Sequence, residues 1–354
     1  MRSGEGRLRR GAGTQLLVGA AAFVVVVAGL QAAAALIQPF LIAVFLGVVN
    51  VPLMNWLQRL RLPRPLAVLA TILFAASLVA ILVTVVGQSV NQLARVVPSY
   101  RAPFLAVAGD IQDFATQFGL PAVDLQSMVI PSFNVAGTLV GNALRAVGAL
   151  LSNAFLVLLL VIFILFEAAG FNAKLSAAFG NDGEHLRHLA RMAAQVQQYL
   201  VIKTAVSTAT GLFIGVWVWM VGLDAPQLWG VLAFAFNFIP TLGSIFAAVP
   251  AVLLALIQPD ISPVGAAVIA GGYAGVNVVF GNFVEPTLMG RRLGLSTLVV
   301  FMSLVFWGWV WGPVGMLFSV PLTMVVKIAL ENTTEFRWVA VMLDANPRAS
   351  GGKA

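Results

Sequence analysis

The sequence predicts an all-α polytopic membrane protein: about six full transmembrane helices and two re-entrant helical hairpins, with an amphipathic helical insertion between the third and fourth spans. Three observations predict it. Hydrophobic residues make up 60% of the 354-residue chain and charged ones only 9%, against roughly 25% charged in a soluble protein. So few charges cannot cover a soluble surface. The apolar residues fall in about eight segments, most of them near the ~20 residues that cross a bilayer, and none alternates as a membrane β-strand would. Basic residues flank these segments: Arg7, Arg9 and Arg10 precede the first, and Arg59, Arg61 and Arg64 follow the second. In lipid every backbone N–H and C=O must be paired within its own segment, which leaves helices as the spanning elements.

Residues 1–87 read as an N-terminal three-span unit. Its spans run from about Thr14 to Ala33, Leu36 to Trp56 and Pro65 to Val86. The arginines before the first and after the second then share one side, the cytoplasm by the positive-inside rule. The N-terminus has the form of a signal peptide, but another membrane segment follows it, which favours an uncleaved anchor. Residues 88–146 are mixed, with Arg95, Arg101 and Arg145 balancing Asp110, Asp113 and Asp124. They suit amphipathic helices on the outer face. Residues 147–222 hold the fourth and fifth spans, with a polar cytoplasmic helix over 170–203 that carries Glu184, His185 and His188. The two histidines share a helical face, but no further ligand accompanies them, so a solvated face is the reading and no metal is expected. Residues 331–354 form a cytoplasmic tail, which puts both termini inside.

The interval 223–330 is different in kind. Trp229 to Leu256 is apolar but interrupted at Asn237-Phe238-Ile239-Pro240-Thr241-Leu242-Gly243, with Pro250 beyond. Leu298 to Leu330 is interrupted at Gly312-Pro313-Val314-Gly315, with Pro321 beyond. Proline removes a helical hydrogen bond and clashes with the preceding turn, while glycine tolerates left-handed backbone. One ordinary span, about Val264 to Phe280, separates the two runs. Each run is either a kinked helix or a hairpin that enters and leaves on one face. Kinked helices would put Arg291 and Arg292 outside, whereas opposed hairpins keep them and the basic tail inside. Paired, interrupted segments of this sort are the sequence pointer to a transport site.

The blocks Asn237 to Gly243, Glu285-Pro286-Thr287-Leu288-Met289-Gly290-Arg291-Arg292-Leu293-Gly294-Leu295-Ser296, and Trp307-Gly308 through Gly312, Gly315 and Pro321 resemble, in this order, the autoinducer-2 exporter family of bacterial permeases. The likeness extends over nearly the whole chain and is strongest from Gln195 to Lys327. It implies a homo-oligomeric exporter of the bacterial inner membrane, a pentamer among the forms it allows. Some relatives are assigned to signal export and others to sodium/proton exchange.

Glu285 is the first candidate for chemistry. A carboxylate at the bilayer centre costs about 2.5–3.5 kcal/mol and needs a partner or a role. It either binds a coupling proton or sodium ion, or sits at the interface paired with Arg291 or Arg292. Gln198, Tyr199 and Lys203, with Gln195, Thr204 and Ser207, make a polar stripe running into the fifth span. That stripe suits a polar hydroxylated substrate, and the alternative is Lys203 snorkelling to the surface. Asn237, Asn277 and Asn282 either line a cavity or bridge helices. Pro240, Gly243, Pro250, Gly312, Pro313, Gly315 and Pro321 are the hairpin breaks. Lys327 reads as snorkelling, and Trp307, Trp309 and Trp311 as an interfacial belt or hairpin-tip packing.

The function expected is secondary export of a small polar organic molecule, with membrane lipid and substrate as partners, no cofactor and no nucleic acid. No Walker loop is present. A sodium/proton antiporter is the alternative within the class. A membrane-embedded enzyme lacks a catalytic cluster, and a scaffold would not need two broken runs.

Overall fold

The structure, a computed structural model, describes residues 5–100, 102, 105, 109, 113, 116, 117, 154–167, 183–240, 242–289, 295–331, 333 and 337–344. Most of the mixed insertion, Arg291 and Arg292, and the end of the tail lie outside the described residues. Among those described, all regular structure is helical. Five helices are long and apolar enough to cross a membrane, and shorter apolar helices accompany them. Large apolar side chains such as Leu36, Phe155 and Leu298 face outward, as lipid contact requires and water would not allow. The chain is a multi-pass helical membrane protein.

Helix α1 (Glu5–Ala32) meets α2 (Ala34–Arg59) through a single residue, Ala33, at φ −85° and ψ 5°. Torsions this close to helical bend the axis without turning it back, whereas the sequence suggested two separate, oppositely directed spans. Val27, Leu30, Ala34, Ile37 and Leu41 accordingly pack on one cluster around Trp307 and Trp311. Helix α2 contains Pro39 and Pro52 and closes at the basic connector. Leu62 N–H donates to Leu57 O and Arg61 N–H to Gln58 O, with Arg61 at φ 66°. This is a Schellman cap holding arginine where glycine is usual.

Helix α3 (Arg64–Val96) runs past the expected end at Val86 and closes in a 3₁₀ turn, Val97–Tyr100. It packs with α2 and the short apolar α4 (Ala154–Glu167) through Ala43, Met54, Val68, Val161 and Leu165. Helix α5 (Gly183–Val221) is one uninterrupted 39-residue element. The expected cytoplasmic helix and fifth span are therefore continuous, and Lys203 lies mid-helix rather than at an end.

The first broken run forms α6 (Pro226–Phe236) and α7 (Gly243–Ile257). The two pack against each other, with Trp229 and Ala233 in one cluster with Ala247, Ala251 and Leu254. Phe236 O, which Pro240 cannot serve, accepts from Ile239 N–H at 2.8 Å. A Cβ at Gly243 would lie 1.8 Å from that same carbonyl, so only glycine fits the turn. Helix α8 (Pro263–Asn277) starts at a Ser262 N-cap and widens into a π-helix, Val278–Val284, before α9 (Glu285–Met289).

The second broken run, α10 (Thr297–Glu331), is nominally one helix, but Gly312 sits at φ 64°, ψ −144°. In a straight helix Ser303 and Ser319 would be about 24 Å apart. Here Ser303 Oγ donates to Ser319 O at 2.7 Å, and Trp307 Nε1 donates to Thr323 Oγ1 at 3.1 Å. The run therefore doubles back at Gly312. A Cβ at Gly315 would meet Trp307 O at 1.8 Å, the counterpart of the contact at Gly243. A short α11 (Arg337–Met342) comes last.

Candidate functional site

Tyr199, Lys203, Ser207 and Thr210 recur at i, i+4, i+8 and i+11 along α5, a spacing that puts them on one face. All four are buried, Lys203 at 4% exposure. Lys203 Nζ lies 2.6 Å from Glu285 Oε1 and 2.8 Å from Oε2. The two side chains are only 5% and 20% exposed. The pair lies within an apolar bundle, where each charge alone would be costly and the short, charge-assisted contacts offset the loss of water. One turn before Lys203, the Tyr199 ring packs with Leu200, Met289 and Leu295. One turn beyond Lys203, Ser207 Oγ accepts from Asn237 Nδ2 at 2.9 Å, which ties α5 to the break after α6.

Glu285 reaches Lys203 because of the element before it. A π turn holds one residue more than an α turn and so rotates the next turn of helix by about 100°. The π-helix ends at Val284, and Glu285 is the first residue after it. Pro286 comes next, and an α turn there would clash with the carbonyl of Asn282 four residues back. The wider turn accommodates the proline and turns the carboxylate onto α5.

The pair gives each residue a partner that the sequence reading did not name. Lys203 is buried against a carboxylate rather than extended to the surface. Glu285 is paired to α5, while Arg291 and Arg292 lie outside the described residues. Lys327 is also buried, with Nζ 3.0 Å from Asp344 and 3.6 Å from Glu331. It joins the second broken run to the segment after it rather than reaching for the surface. Trp307 and Trp311 pack at the turn of α10 while Trp309 is exposed. Pro240 and Gly243 sit at the turn between α6 and α7, Pro250 lies inside α7, and Pro313 and Pro321 lie inside α10. Asn277 and Asn282 are not brought to the Lys203–Glu285 pair. Asn277 instead lines a groove of about 450 Å³ between α7 and α8, with Tyr273 and Ser244, and Asn282 is exposed. Gln198 lines a second cavity, between α2 and α5. Among the described residues no cluster of His, Asp and Glu could hold a metal ion.

Sequence reasoning missed two sets of residues. Pro313 leaves the carbonyl of Trp309 without its helical donor, and Gln31 Nε2 donates to it at 3.3 Å. Gln38 Nε2 donates to Trp311 O at 3.1 Å, and Trp311 Nε1 donates to Leu30 O at 2.9 Å. Pro52 likewise orphans Val48 O, which has a long 3.5 Å contact from Gln197 Nε2. At Trp309 and Val48 side-chain amides thus answer carbonyls that prolines release, but the partner lies up to 278 positions away, and no local signal names it. The second set closes the α5–α6 connection. There Tyr100 donates to the Asp224 carboxylate and Trp229 Nε1 to Asp224 O. Gln258 bridges Asp224 N and Gly222 O.

Comparison with known proteins places this arrangement. The chain is 38% identical over 334 residues to the AI-2 transport protein TqsA of Escherichia coli K12, covering 94% of this chain and 96% of that one. It is 33% identical over 333 residues to a putative transport protein of Haemophilus influenzae, covering 92% and 95%. To the putative transport protein YhhT of Escherichia coli K12 it is 33% identical over 334 residues, 94% of each. The pattern of the AI-2E family transporter matches residues 20–335. With its apolar helices, two doubled-back runs and buried ion pair, the chain belongs to the AI-2E transporter family and is a membrane transporter, not an enzyme.

Proposed function

We propose that this protein is a secondary transporter of the bacterial cytoplasmic membrane, exporting a small polar organic molecule of the kind named for TqsA. In this reading α6–α7 and the two halves of α10 are re-entrant hairpins, the first from the outer face and the second from the cytoplasm. Helices α2, α3, α4, α5 and α8 cross, and the basic segments at Arg59–Arg64 and Arg337 then share the cytoplasmic side. Assembly is as a homo-oligomer.

The observation that carries the proposal is the buried pair of Lys203 and Glu285. It joins α5 to the end of the α8–π–α9 segment, and Ser207 joins the same face of α5 to the first break. Protonating Glu285 removes the attraction, frees Lys203 and lets α9 part from α5. That gives a proton-sensitive latch beside a doubled-back run. A sodium/proton antiporter is less well supported, because Lys203 already neutralises the carboxylate that would have to ligate sodium.

The test is flux in proteoliposomes under imposed pH and sodium gradients, with AI-2 as cargo. Efflux driven by the pH gradient and uncoupled from it in Glu285→Gln is expected. A Glu285→Gln protein with normal flux and unchanged pH and sodium dependence would falsify the role given to Glu285. No flux of any solute under any gradient would sink the transport reading and favour a scaffold.

A further inference from the structure

The cavity between the end of α2 and the face of α5 has a lining unlike the rest of the apolar surface. It is an open groove of about 450 Å³, within the range of small-molecule sites, and presents Arg59, Asn55, Gln197, Gln198 and the Trp56 indole. The lining holds one fixed positive charge and no carboxylate. Three amides supply donors and acceptors, and Trp56 is 56% exposed, so its ring offers a stacking face. Gln197 is anchored by its contact with Val48 O. Arg59 is the last residue of α2, held there by the left-handed cap at Arg61, where an arginine carries backbone strain that a glycine would not. Arg61 and Arg64 add positive potential around the opening. Ala194, Gln197, Gln198, Val201 and Ile202 line the cavity from α5, on the side of the helix away from the face that carries Tyr199, Lys203 and Ser207.

We propose that this cavity recognises a small anion bearing adjacent hydroxyl groups, with Arg59 taking the charge, the three amides the hydroxyls, and Trp56 a carbon face. The proposal rests on the transport reading and supplies its substrate class: the cavity is where the cargo is gathered on the cytoplasmic side. A neutral polyol lacks the charge that Arg59 would pair.

The experiment uses the fact that the chain has no cysteine. Ala194→Cys places one thiol on the exposed wall of the cavity without removing a polar group. Maleimide alkylation is followed in phosphatidylcholine nanodiscs with gluconate, a six-carbon polyhydroxy anion, and with sorbitol, its neutral counterpart. Gluconate should slow alkylation at least fivefold and saturably, and sorbitol less than twofold. Arg59→Gln should abolish the gluconate effect. The gluconate–sorbitol contrast is read with Arg59 intact, so it decides even where Arg59→Gln fails to fold. Equal effects of both polyols, or none from either, overturn the proposal. Slowing seen only in phosphatidylglycerol discs, with gluconate inert, overturns it in favour of a lipid headgroup. Alkylation reads occupancy without flux. A chain that binds gluconate and moves no solute therefore fails the transport reading and keeps this one.

Discussion

Removing one partner of the Lys203–Glu285 pair should be far more costly than removing both. Their side chains are 5% and 20% exposed and meet at 2.6 Å, so the loss of either leaves an uncompensated charge largely shielded from water. For such a pair the cost is about 3–5 kcal/mol. Lys203→Met should lie in that range, because a bare carboxylate remains. Glu285→Gln should lie at the lower end, since its amide oxygen still accepts from Nζ at 2.6–2.8 Å separations. In the double variant no charge remains, and stability should return to within about 1.5 kcal/mol of the parent, giving a coupling of at least about 2 kcal/mol. Reversible unfolding in mixed micelles of mild detergent and dodecyl sulfate measures all four proteins on one scale. Single losses below about 1 kcal/mol that simply add in the double would refute the argument, because they would mean that both charges are solvated in solution.

The breaks make a matched pair of tests. Gly315→Ala drives a Cβ to 1.8 Å from Trp307 O and must move backbone, so it should cost more than about 3 kcal/mol. Gly312→Ala meets nothing within 4 Å but sits at φ +64, so only the backbone strain of about 1–3 kcal/mol applies; the same micelle assay ranks them, and a reversed order would contradict the doubled-back geometry. The glutamine contacts predict that Gln31→Leu, which strips Trp309 O of its 3.3 Å donor, costs about 1 kcal/mol, and that Gln31→Leu with Gln38→Leu costs about 2–3 kcal/mol. A double variant as stable as the parent would show that the carbonyls find other donors.

Much of the fold was legible because it derives from properties each residue carries alone. The transfer preferences of runs such as Val264 to Phe280 do not depend on their neighbours, and they gave helices at membrane length. The backbone limits of Pro240, Gly243, Gly312 and Pro313 are equally local, and they marked the two places where the apolar runs break. The bend at Ala33 was not legible. Whether a short link between apolar runs turns or continues depends on what it packs against, here Trp307 and Trp311.

The site divides along the same line. Lys203 and Glu285 could each be singled out from sequence as costly inside a membrane, and the paired breaks said where to look. That the two residues satisfy each other could not be read, because it depends on helix rotation. A one-residue shift turns a helix by about 100°, and the π turn over Val278–Val284 supplies that shift. The amides show the converse: Asn277 and Asn282 look equivalent to Asn237 in sequence, yet only Asn237 faces α5 and bonds Ser207. The sequence by itself determined that the chain lives in a bilayer, that it is helical and where its helices break. Only the tertiary structure decided which buried charge meets which, since pairing across 82 positions is set by packing and rotation rather than by any residue's own preference.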